Sequence, residues 1–260
     1  MILVKKADGR KEEFDPRKIV NTSMRAGLSR RAAENIARKI VARLYDGIST
    51  HEIYQMALKE IESVEDKSSM LFRLREAVSE MPSDKFELYI KKVLESYGYK
   101  CQWNVLVKGM YVEHQIDLIA EKSGKKYLVE CKHHINPHRF CGLGIVLQVQ
   151  ARLEDIKEVK GTYQAWVVTN TKFSEHAKAY ARGKNLMLSG WRYKGKMSLE
   201  SMVQGKRLYP VCIINADKTV IKRLLDQNII TVQDALSSDM KAVDNKTVEY
   251  IKNQSRMLLA

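Results

Sequence analysis

Apolar and charged positions alternate most clearly between residues 116 and 132. The segments Ile116-Asp117-Leu118-Ile119-Ala120 and Tyr127-Leu128-Val129-Glu130-Cys131-Lys132 are short apolar runs interrupted by charges, and Ser123-Gly124 lies between them. Two such runs on either side of a turn predict a β-hairpin. Because side chains two positions apart share a face of a strand, Glu130 and Lys132 are expected on one face, while Val129 and Cys131 pack.

Helical spacing surrounds this hairpin. Apolar residues recur at that spacing from Phe86 to Tyr97 and stop at Gly98, with Glu87 beside the stripe. Downstream, the pattern predicts helices at 145–157 and 174–182 and a buried strand at 163–169 between them. The order of elements predicts an α/β (α+β) domain over 83–200, with a central mixed β-sheet flanked by helices.

The two ends of the chain have different patterns. Residues 3–15 predict a small β-ribbon with an Asp8-Gly9 turn, followed by helices from Arg17, at 29–45, at 49–62 and around 68–80. Residues 79–85 break the helical pattern and predict a linker, and the segment after residue 200 predicts helices at 218–227, 231–236 and 246–259. The sequence therefore predicts three domains, at 1–82, 83–200 and 201–260.

Composition favours a soluble partner of nucleic acid. The net charge is +14, and 83–200 alone holds 20 Lys and Arg against 12 Asp and Glu. A basic surface attracts phosphate backbones without sequence preference, although a solvated, lysine-rich surface with no partner is the alternative. No apolar run is long enough to span a membrane, and the N-terminus lacks a secretion signal, so a cytoplasmic protein is expected. The four cysteines have no paired spacing and are expected to be reduced.

The charged residues of the hairpin suggest a chemistry. Hydrolysis of a phosphodiester needs a hard cation held by oxygen ligands and a water in line with the leaving oxygen. Asp117 and Glu130 would bind Mg²⁺ or Mn²⁺, the carbonyl of Cys131 could add a ligand, and Lys132 would orient or deprotonate the water. This pattern resembles the PD-(D/E)XK nuclease superfamily. Acidic-x-Lys triplets also occur elsewhere, as at Glu65-Asp66-Lys67, but only the copy at Glu130 ends a β-like run.

Further motifs resemble the Mrr-type branch of that superfamily. These are Phe86-Glu87, Gly98-Tyr99, the two hairpin segments and Val167-Val168-Thr169-Asn170-Thr171-Lys172-Phe173. The resemblance implies that Glu87 is an extra metal ligand and that a polar residue of the second helix lies near the metal. Gln150 is the candidate and Gln148 the alternative, because spacing alone does not say which faces the site. An ordinary surface position for Glu87 is equally open.

The N-terminal region resembles the ATP-cone, a regulatory domain that binds ATP or dATP without hydrolysing it. The resemblance rests on Val4, Lys6, Asp8, Gly9 and Arg10, then Phe14-Asp15 and Lys18-Ile19. It implies that Lys6, Arg10 and Lys18 neutralise phosphates and that Gly9 lets the backbone approach the ligand closely. Ala7 departs from the family, which often has Arg there. The alternative is a helical domain that only packs or dimerises, so a homodimer is also open.

Three other segments suggest sites that we weigh against simpler interpretations. The cluster His133, His134, His138 and Cys141 has zinc-ligand side chains, but a loop that contacts phosphate together with Arg139, or one that is plain surface, is favoured. The segment 190–197 matches a phosphate-binding loop except that Met197 replaces the hydroxyl residue, and a hairpin turn is favoured. The C-terminal helices faintly resemble a helix-hairpin-helix module without its glycine, so DNA contact and a structural or dimerising tail are equally open.

The combined expectation is a Mg²⁺-dependent endonuclease that cleaves DNA with little sequence preference, for restriction or repair, with ATP or dATP as an effector. The resemblance implies products with 5′-phosphate ends. One alternative is a non-catalytic, nucleotide-sensing DNA-binding regulator. Another is a nuclease for RNA or branched DNA.

Overall fold

The structure is a computed structural model that describes residues 2–6, 9–160, 163–193 and 197–260, with the side chains of 157–160 excepted. The chain divides into two compact units. One comprises Met1–Leu74 and Ile213–Asn215, and the other Arg75–Cys212 and Ala216–Ala260. The C-terminal segment that the sequence pattern sets apart at residue 201 is thus largely in the same unit as the predicted nuclease core.

The first unit is a β-ribbon packed with helices. Strands β1 (Leu3–Lys5) and β2 (Lys11–Glu13) are antiparallel, and helices α1 (Arg17–Arg25), α2 (Arg30–Val41), α3 (Thr50–Glu62) and α4 (Asp66–Phe72) follow. Ser49 and Glu52 form a capping box that fixes the start of α3. Of the predicted Asp8-Gly9 turn, Asp8 lies outside the described residues, and Gly9 has a φ of 84°.

One predicted helix is two. The pattern at 68–80 predicts a continuous helix, whereas α4 ends at Phe72 and α5 (Leu74–Ser79) begins after Arg73. Only three residues then separate α5 from α6 (Ser83–Ser96), and Met81 among them is buried. The segment predicted as a linker is therefore short and partly packed.

A five-stranded mixed sheet forms the centre of the second unit. Its strands are β3 (Lys100–Lys108), β4 (Glu113–Lys122), β5 (Lys125–Lys132), β7 (Tyr163–Thr169) and β9 (Met187–Ser189), adjacent in that order. Strands β3, β4 and β5 are antiparallel neighbours, while β5, β7 and β9 are parallel. The predicted hairpin is thus confirmed, with Ser123 and Gly124 both at positive φ in its turn.

Helices cover both faces of this sheet. Helix α6 contacts β3, β4 and β5, and helix α7 (Leu143–Lys160) contacts β7. One core contains Leu128 and Val167 of the sheet together with Val149 of α7 and Ala177 of α8 (Glu175–Gly183). Because the connection from β5 to β7 crosses through α7, the carboxyl ends of these parallel strands lie at one edge of the sheet.

Two short strands lie just beyond that edge. Strand β6 (Phe140–Cys141) pairs in parallel with β8 (Lys172–Phe173), which follows β7 after two residues. The predicted hairpin at 190–197 is wrong as far as the chain is described. Lys194–Lys196 lie outside the described residues, and from Met197 the chain enters helix α9 (Leu199–Gly205) rather than a strand.

The C-terminal helices pack on α6. A 3₁₀ helix (Val211–Ile213) precedes α10 (Lys218–Asp226), α11 (Val232–Ser237) and α12 (Asn245–Leu259). The buried Tyr89 of α6 donates a hydrogen bond of 2.8 Å to the carbonyl of Leu208, and Lys92 lies 2.9 Å from Asp234. Among the described residues, no helix is both long and apolar enough to cross a membrane. All four cysteines are free thiols, as expected.

Candidate functional site

Strands β4 and β5 separate at Asp117. Their pairing ends at Leu118 opposite Val129, so one further step of the register would pair Asp117 with Glu130. Instead of a backbone carbonyl, the Asp117 carboxylate accepts the N–H of Cys131 at 2.7 Å. The side chain therefore takes the place of a ladder hydrogen bond, which holds its carboxylate between the two strands beside Glu130.

The neighbouring strand β3 is also interrupted at this point. Its register with β4 omits the pair of Asn104 and Asp117, and Asn104 has a φ of 54°. Asn tolerates this left-handed conformation because its short side chain can bond locally, and here its Oδ1 accepts a hydrogen bond of 2.6 Å from Gln115. Asp117 thus lies where regular pairing fails on both sides.

Burial changes the acidity of Asp117. The pKa of its carboxyl is raised to about 7, first by loss of solvent and then by the neighbouring carboxylates of Glu130 and Glu87. The N–H of Cys131 and the guanidinium of Arg152 act in the opposite direction. The site therefore concentrates negative charge, which is the arrangement that favours a bound cation.

Glu130 is held by a residue that the sequence analysis did not single out. Its Oε2 accepts a hydrogen bond of 2.5 Å from Nη1 of Arg152 on α7. The two side chains are 17% and 23% exposed, so this ion pair is mostly buried. Glu130 lies on the face of β5 that also carries the core residue Leu128, which explains why a residue of α7 reaches it.

Glu87 is close enough to take part in the same electrostatics but has a partner of its own. Its Oε2 accepts the indole N–H of Trp103 at 2.8 Å. Burial raises the pKa of Glu87, and the Asp84 and Glu130 carboxylates contribute, while the Trp103 bond opposes them. Glu87 is thus a half-buried acid whose carboxyl is affected by the charge of Glu130, rather than an isolated surface acid.

The two glutamine candidates on α7 differ in burial. Gln148 is exposed, whereas Gln150 is half-buried and donates a hydrogen bond of 2.7 Å to Glu154. The Oε1 atom of Gln150 is buried without a hydrogen-bond partner among the described residues. An unmet buried carbonyl costs free energy, so this oxygen is suited to a ligand or water.

Lys132 ends β5 two residues after Glu130, and it is exposed. The structure records no ion pair for it among the described residues. Cys131 lies between Glu130 and Lys132, and its N–H is committed to Asp117.

The loop after Lys132 is anchored from within. Asn170, completely buried, accepts the N–H of His134 at 2.9 Å and donates to the carbonyl of His134 at 2.7 Å. It also donates to the hydroxyl of Ser79 at 2.9 Å. His133 packs on Phe86, with ring centroids 5.1 Å apart. These contacts fix the direction in which the chain leaves the strand that carries Glu130.

We call the point where β4 and β5 separate, beside Asp117 and Glu130, the fork. The oxygen ligands at the fork suit a hard divalent cation. The carboxylate oxygens of Asp117 and Glu130 are ligands that Mg²⁺ and Mn²⁺ take, whereas the hydrogen bond of Gln150 is with Glu154 rather than with either carboxylate. No group of three or more His, Cys, Asp or Glu side chains in the described part of the chain is already arranged to hold a metal, which also disfavours the zinc cluster considered at 133–141.

A second candidate site is a cavity of about 180 Å³ within the first unit. Its wall includes Val4, Lys6 and Lys18, three of the residues predicted to bind nucleotide. Glu12 lies 2.6 Å from the Lys6 ammonium and 2.5 Å from that of Lys18. The side-chain hydrogen bonds from Lys18 and Lys6 lower the pKa of Glu12. Thus two ammonium groups are held together at the rim of the cavity.

The rest of this cavity is mainly apolar. Tyr54 and Phe72 stack with ring centroids 5.1 Å apart in its wall, and Ile19 and Ile53 also line it. Gly9 and Arg10 instead belong to the turn of the ribbon, where the Arg10 carbonyl accepts the N–H of Lys6 at 2.8 Å. The cavity therefore combines apolar walls with two ammonium groups at its rim.

Comparisons with known proteins agree with this division. The model of the Mrr-type restriction endonuclease catalytic domain matches residues 78–190, and the ATP cone domain model matches residues 2–75. An uncharacterized protein of Archaeoglobus fulgidus is 39% identical over 147 residues, which cover 56% of this chain and 83% of the relative. A second uncharacterized protein of that organism is 50% identical over 40 residues, covering 15% of this chain and 85% of the relative.

A solved structure is also similar. The crystal structure of a protein of unknown function aligns with a TM-score of 0.60 and 32% identity, covering 68% of this chain and 98% of that one. The mixed sheet, its flanking helices and the fork at Asp117 define the class of the second unit as a restriction-endonuclease-like nuclease domain. The chain carries a Mrr-type restriction endonuclease domain over residues 78–190 and an ATP-cone domain over residues 2–75.

Proposed function

We propose that the protein is a Mg²⁺- or Mn²⁺-dependent endonuclease that hydrolyses DNA phosphodiester bonds. The observation that supports this most directly is the fork between β4 and β5, where Asp117 lies in the middle of β4 just beyond the last paired residue, Glu130 is beside it and Lys132 ends β5. The net charge of +14 supports a polyanionic substrate.

Each residue of the fork has a proposed role. Asp117, Glu130 and the carbonyl of Cys131 would hold the cation. When bound, a divalent cation supplies positive charge that stabilises the scissile phosphate in the transition state. Lys132, exposed at the strand end, orients the attacking water or, as the neutral amine, takes its proton. Gln150 adds its unsatisfied oxygen, and Glu87 strengthens the negative field beside Asp117.

The protein could instead be a non-catalytic DNA-binding regulator, and one observation favours this second candidate. The Arg152 guanidinium already neutralises Glu130, so the chain supplies a cation where the nuclease would bind one. In that case the fork is structural and only the basic surface acts. The two candidates differ in their need for a metal. The nuclease requires a cation that displaces Arg152 from Glu130, whereas the regulator binds DNA without one.

The first unit is proposed to bind ATP or dATP without hydrolysis and to alter nuclease activity. The cavity rimmed by Lys6 and Lys18 supports this. A nucleotide can shift activity only if it binds one state of the protein better than another. The kind of DNA that is cleaved, rather than the geometry of the fork, distinguishes restriction of foreign DNA from repair.

The decisive experiment measures cleavage and binding together. Labelled duplex DNA, a junction, single-stranded DNA and RNA are incubated with the full chain in Mg²⁺, Mn²⁺ or EDTA. We expect metal-dependent cleavage of DNA by the wild type and a loss of about a hundredfold or more in Glu130→Gln and Lys132→Ala, with binding largely kept. Lys126→Ala, on the same strand but away from the fork, is the matched control. Full cleavage by Glu130→Gln contradicts the site, and binding without cleavage by the wild type on every substrate favours the regulator.

A further inference from the structure

The β6–β8 ribbon, at the sheet edge where the strand of Glu130 ends, carries a surface that the fork does not use. Phe140 of β6 is paired in register with Lys172 of β8, and Cys141 with Phe173. Cys141 and Phe173 are buried, whereas the Phe140 ring is 51% exposed. Because paired residues of parallel strands project to the same side, an aromatic ring and an ammonium group stand next to each other in solvent.

These two side chains belong to a cleft of about 580 Å³. Tyr193 also lines it, and the Tyr193 ring meets that of the buried Phe173 edge to face with centroids 6.0 Å apart. This volume lies within the roughly 300–1,000 Å³ of ordinary ligand clefts. The cleft can therefore accept a planar group the size of a nucleobase.

The other side of the cleft is basic. Lys178 and Arg182 project from α8, and Arg192 from the segment after β9. Two carboxylates offset part of this charge, since Glu175 bonds Lys178 and Glu200 accepts two contacts of 2.9 Å from Arg192. With Lys172, four cations face two acids, so the cleft has net positive charge.

We propose that this cleft binds single-stranded DNA that extends from the duplex held at the fork, with a base stacked on Phe140 and phosphates on Lys172, Lys178 and Arg182. Stacking on an exposed ring beside basic groups is how proteins hold single strands without reading sequence. A blunt duplex offers no unstacked base to this ring. The protein therefore prefers DNA with a single-stranded extension, such as a flap, a splayed duplex end or a resected end.

The inference rests on the proposed function for its ligand, but it is tested by binding alone. In EDTA, where no cleavage occurs, fluorescence anisotropy compares a blunt duplex with the same duplex carrying an extension of either polarity. We expect the wild type to bind one of the extended duplexes about tenfold more tightly, the effect of one stacked base. A fluorescent adenine analogue in the extension reports stacking by its quenching.

Variants locate the contact. Phe140→Ala should remove the tenfold preference and the quenching while blunt-duplex affinity and thermal stability are unchanged, and Phe140→Tyr should keep both. Tyr111→Ala removes a ring that is 84% exposed elsewhere on the unit and is the matched control. Arg182→Gln, which also leaves the fold intact because the side chain is exposed, should reduce the salt dependence of extended-duplex binding by about one ion.

Some outcomes would overturn the inference without touching the nuclease. Equal affinity of the wild type for blunt and extended duplexes would do so, as would a preference that survives Phe140→Ala. A preference for RNA extensions over DNA of the same sequence would assign the cleft a different ligand. Failure of the proposed function instead appears as absent cleavage in Mg²⁺ with these binding results retained.

Discussion

The Arg152 guanidinium lies 2.5 Å from the Glu130 carboxylate, and this bond ties helix α7 to strand β5 at the fork. Both groups are mostly removed from water, so the bond is stronger than a surface ion pair, and breaking it leaves a carboxylate among other carboxylates. Asp117 and Glu87 are those neighbours. Arg152 thus balances part of the negative charge of the fork.

The first prediction concerns Arg152→Gln. In EDTA we expect the free energy of unfolding to fall by about 1–3 kcal/mol, because the mostly buried Glu130 side chain loses its hydrogen-bonded partner. Added Mg²⁺ should restore more stability to the variant than to the wild type, since a cation would meet less competition at Glu130. Thermal melting at matched ionic strength, with Na⁺ replacing Mg²⁺, measures both effects.

Lys91→Gln is the matched control for this experiment. Lys91 pairs with Glu95 at 2.5 Å on the more exposed face of α6, where a pair of this kind contributes about 0.5 kcal/mol or less. If Arg152→Gln were as stable as this control, the charge-balancing role of Arg152 would be wrong.

The second prediction is a pH dependence due to Asp117. Burial raises the pKa of its carboxyl from 3.8 to about 7, so the folded chain holds a proton that the unfolded chain has released. The resulting stabilisation is complete below about pH 4 and is lost as the pH rises through about 7. In EDTA, the stability of the wild type relative to Asp117→Asn should therefore decline over this range.

The same proton competes with metal. Because a ligating carboxylate must be deprotonated, we expect Mg²⁺ affinity to increase by up to about tenfold per pH unit below pH 7 and to level off above it. Calorimetry in buffers of different ionisation enthalpy would count the released proton. Affinity that does not change between about pH 5.5 and 7, the range below the pKa in which the increase is expected, would exclude Asp117 as the titrating ligand.

The third prediction concerns the buried Asn170. Its amide makes three hydrogen bonds, two to the backbone of His134 and one to the hydroxyl of Ser79. Asn170→Ala should lower the free energy of unfolding by about 2–4 kcal/mol and reduce cleavage, because the loop leaving Lys132 loses its anchor. Ser79→Ala removes one bond and should cost about 1 kcal/mol. Urea unfolding compares them, and equal effects would contradict the loop-anchoring role.

The sequence predicted the parts of this fold that local physics determines. The β4–β5 hairpin follows from two apolar runs around Ser123-Gly124, and the start of α3 follows from the Ser49 capping residue. Strand β3 was not predicted, because it is an edge strand with exposed Trp103 and Leu106 and a left-handed Asn104, which together obscure the alternation. Strand β9, with three residues, is too short to give a pattern.

The candidate site divides in the same way. The proximity of Asp117 to Glu130 follows from hairpin register, which a sequence can reveal. The bond between Arg152 and Glu130 depends on how α7 is rotated against the sheet, and that is set by tertiary packing across the chain. For the same reason, spacing could not show whether Gln150, the candidate, or Gln148, the alternative, faces the site, whereas burial distinguishes them.

The last prediction concerns the cavity of the first unit. Lys6 and Lys18 both bond Glu12, so a nucleotide phosphate must compete with that carboxylate for the two ammonium groups. We expect Lys18→Ala to weaken ATP or dATP binding by about tenfold or more, because a charge-assisted hydrogen bond is lost. Glu12→Gln should strengthen binding, since it removes the competing charge while keeping the shape of the rim.

Lys11→Ala, at an exposed position of β2, is the matched control and should change affinity less than about twofold. Calorimetry on the full chain measures these affinities, and the absence of phosphate release would accord with binding without hydrolysis. If the wild type bound no nucleotide at millimolar ATP, or if Lys11→Ala weakened binding as much as Lys18→Ala, the cavity would not be the nucleotide site, and the fork between β4 and β5 would be unaffected.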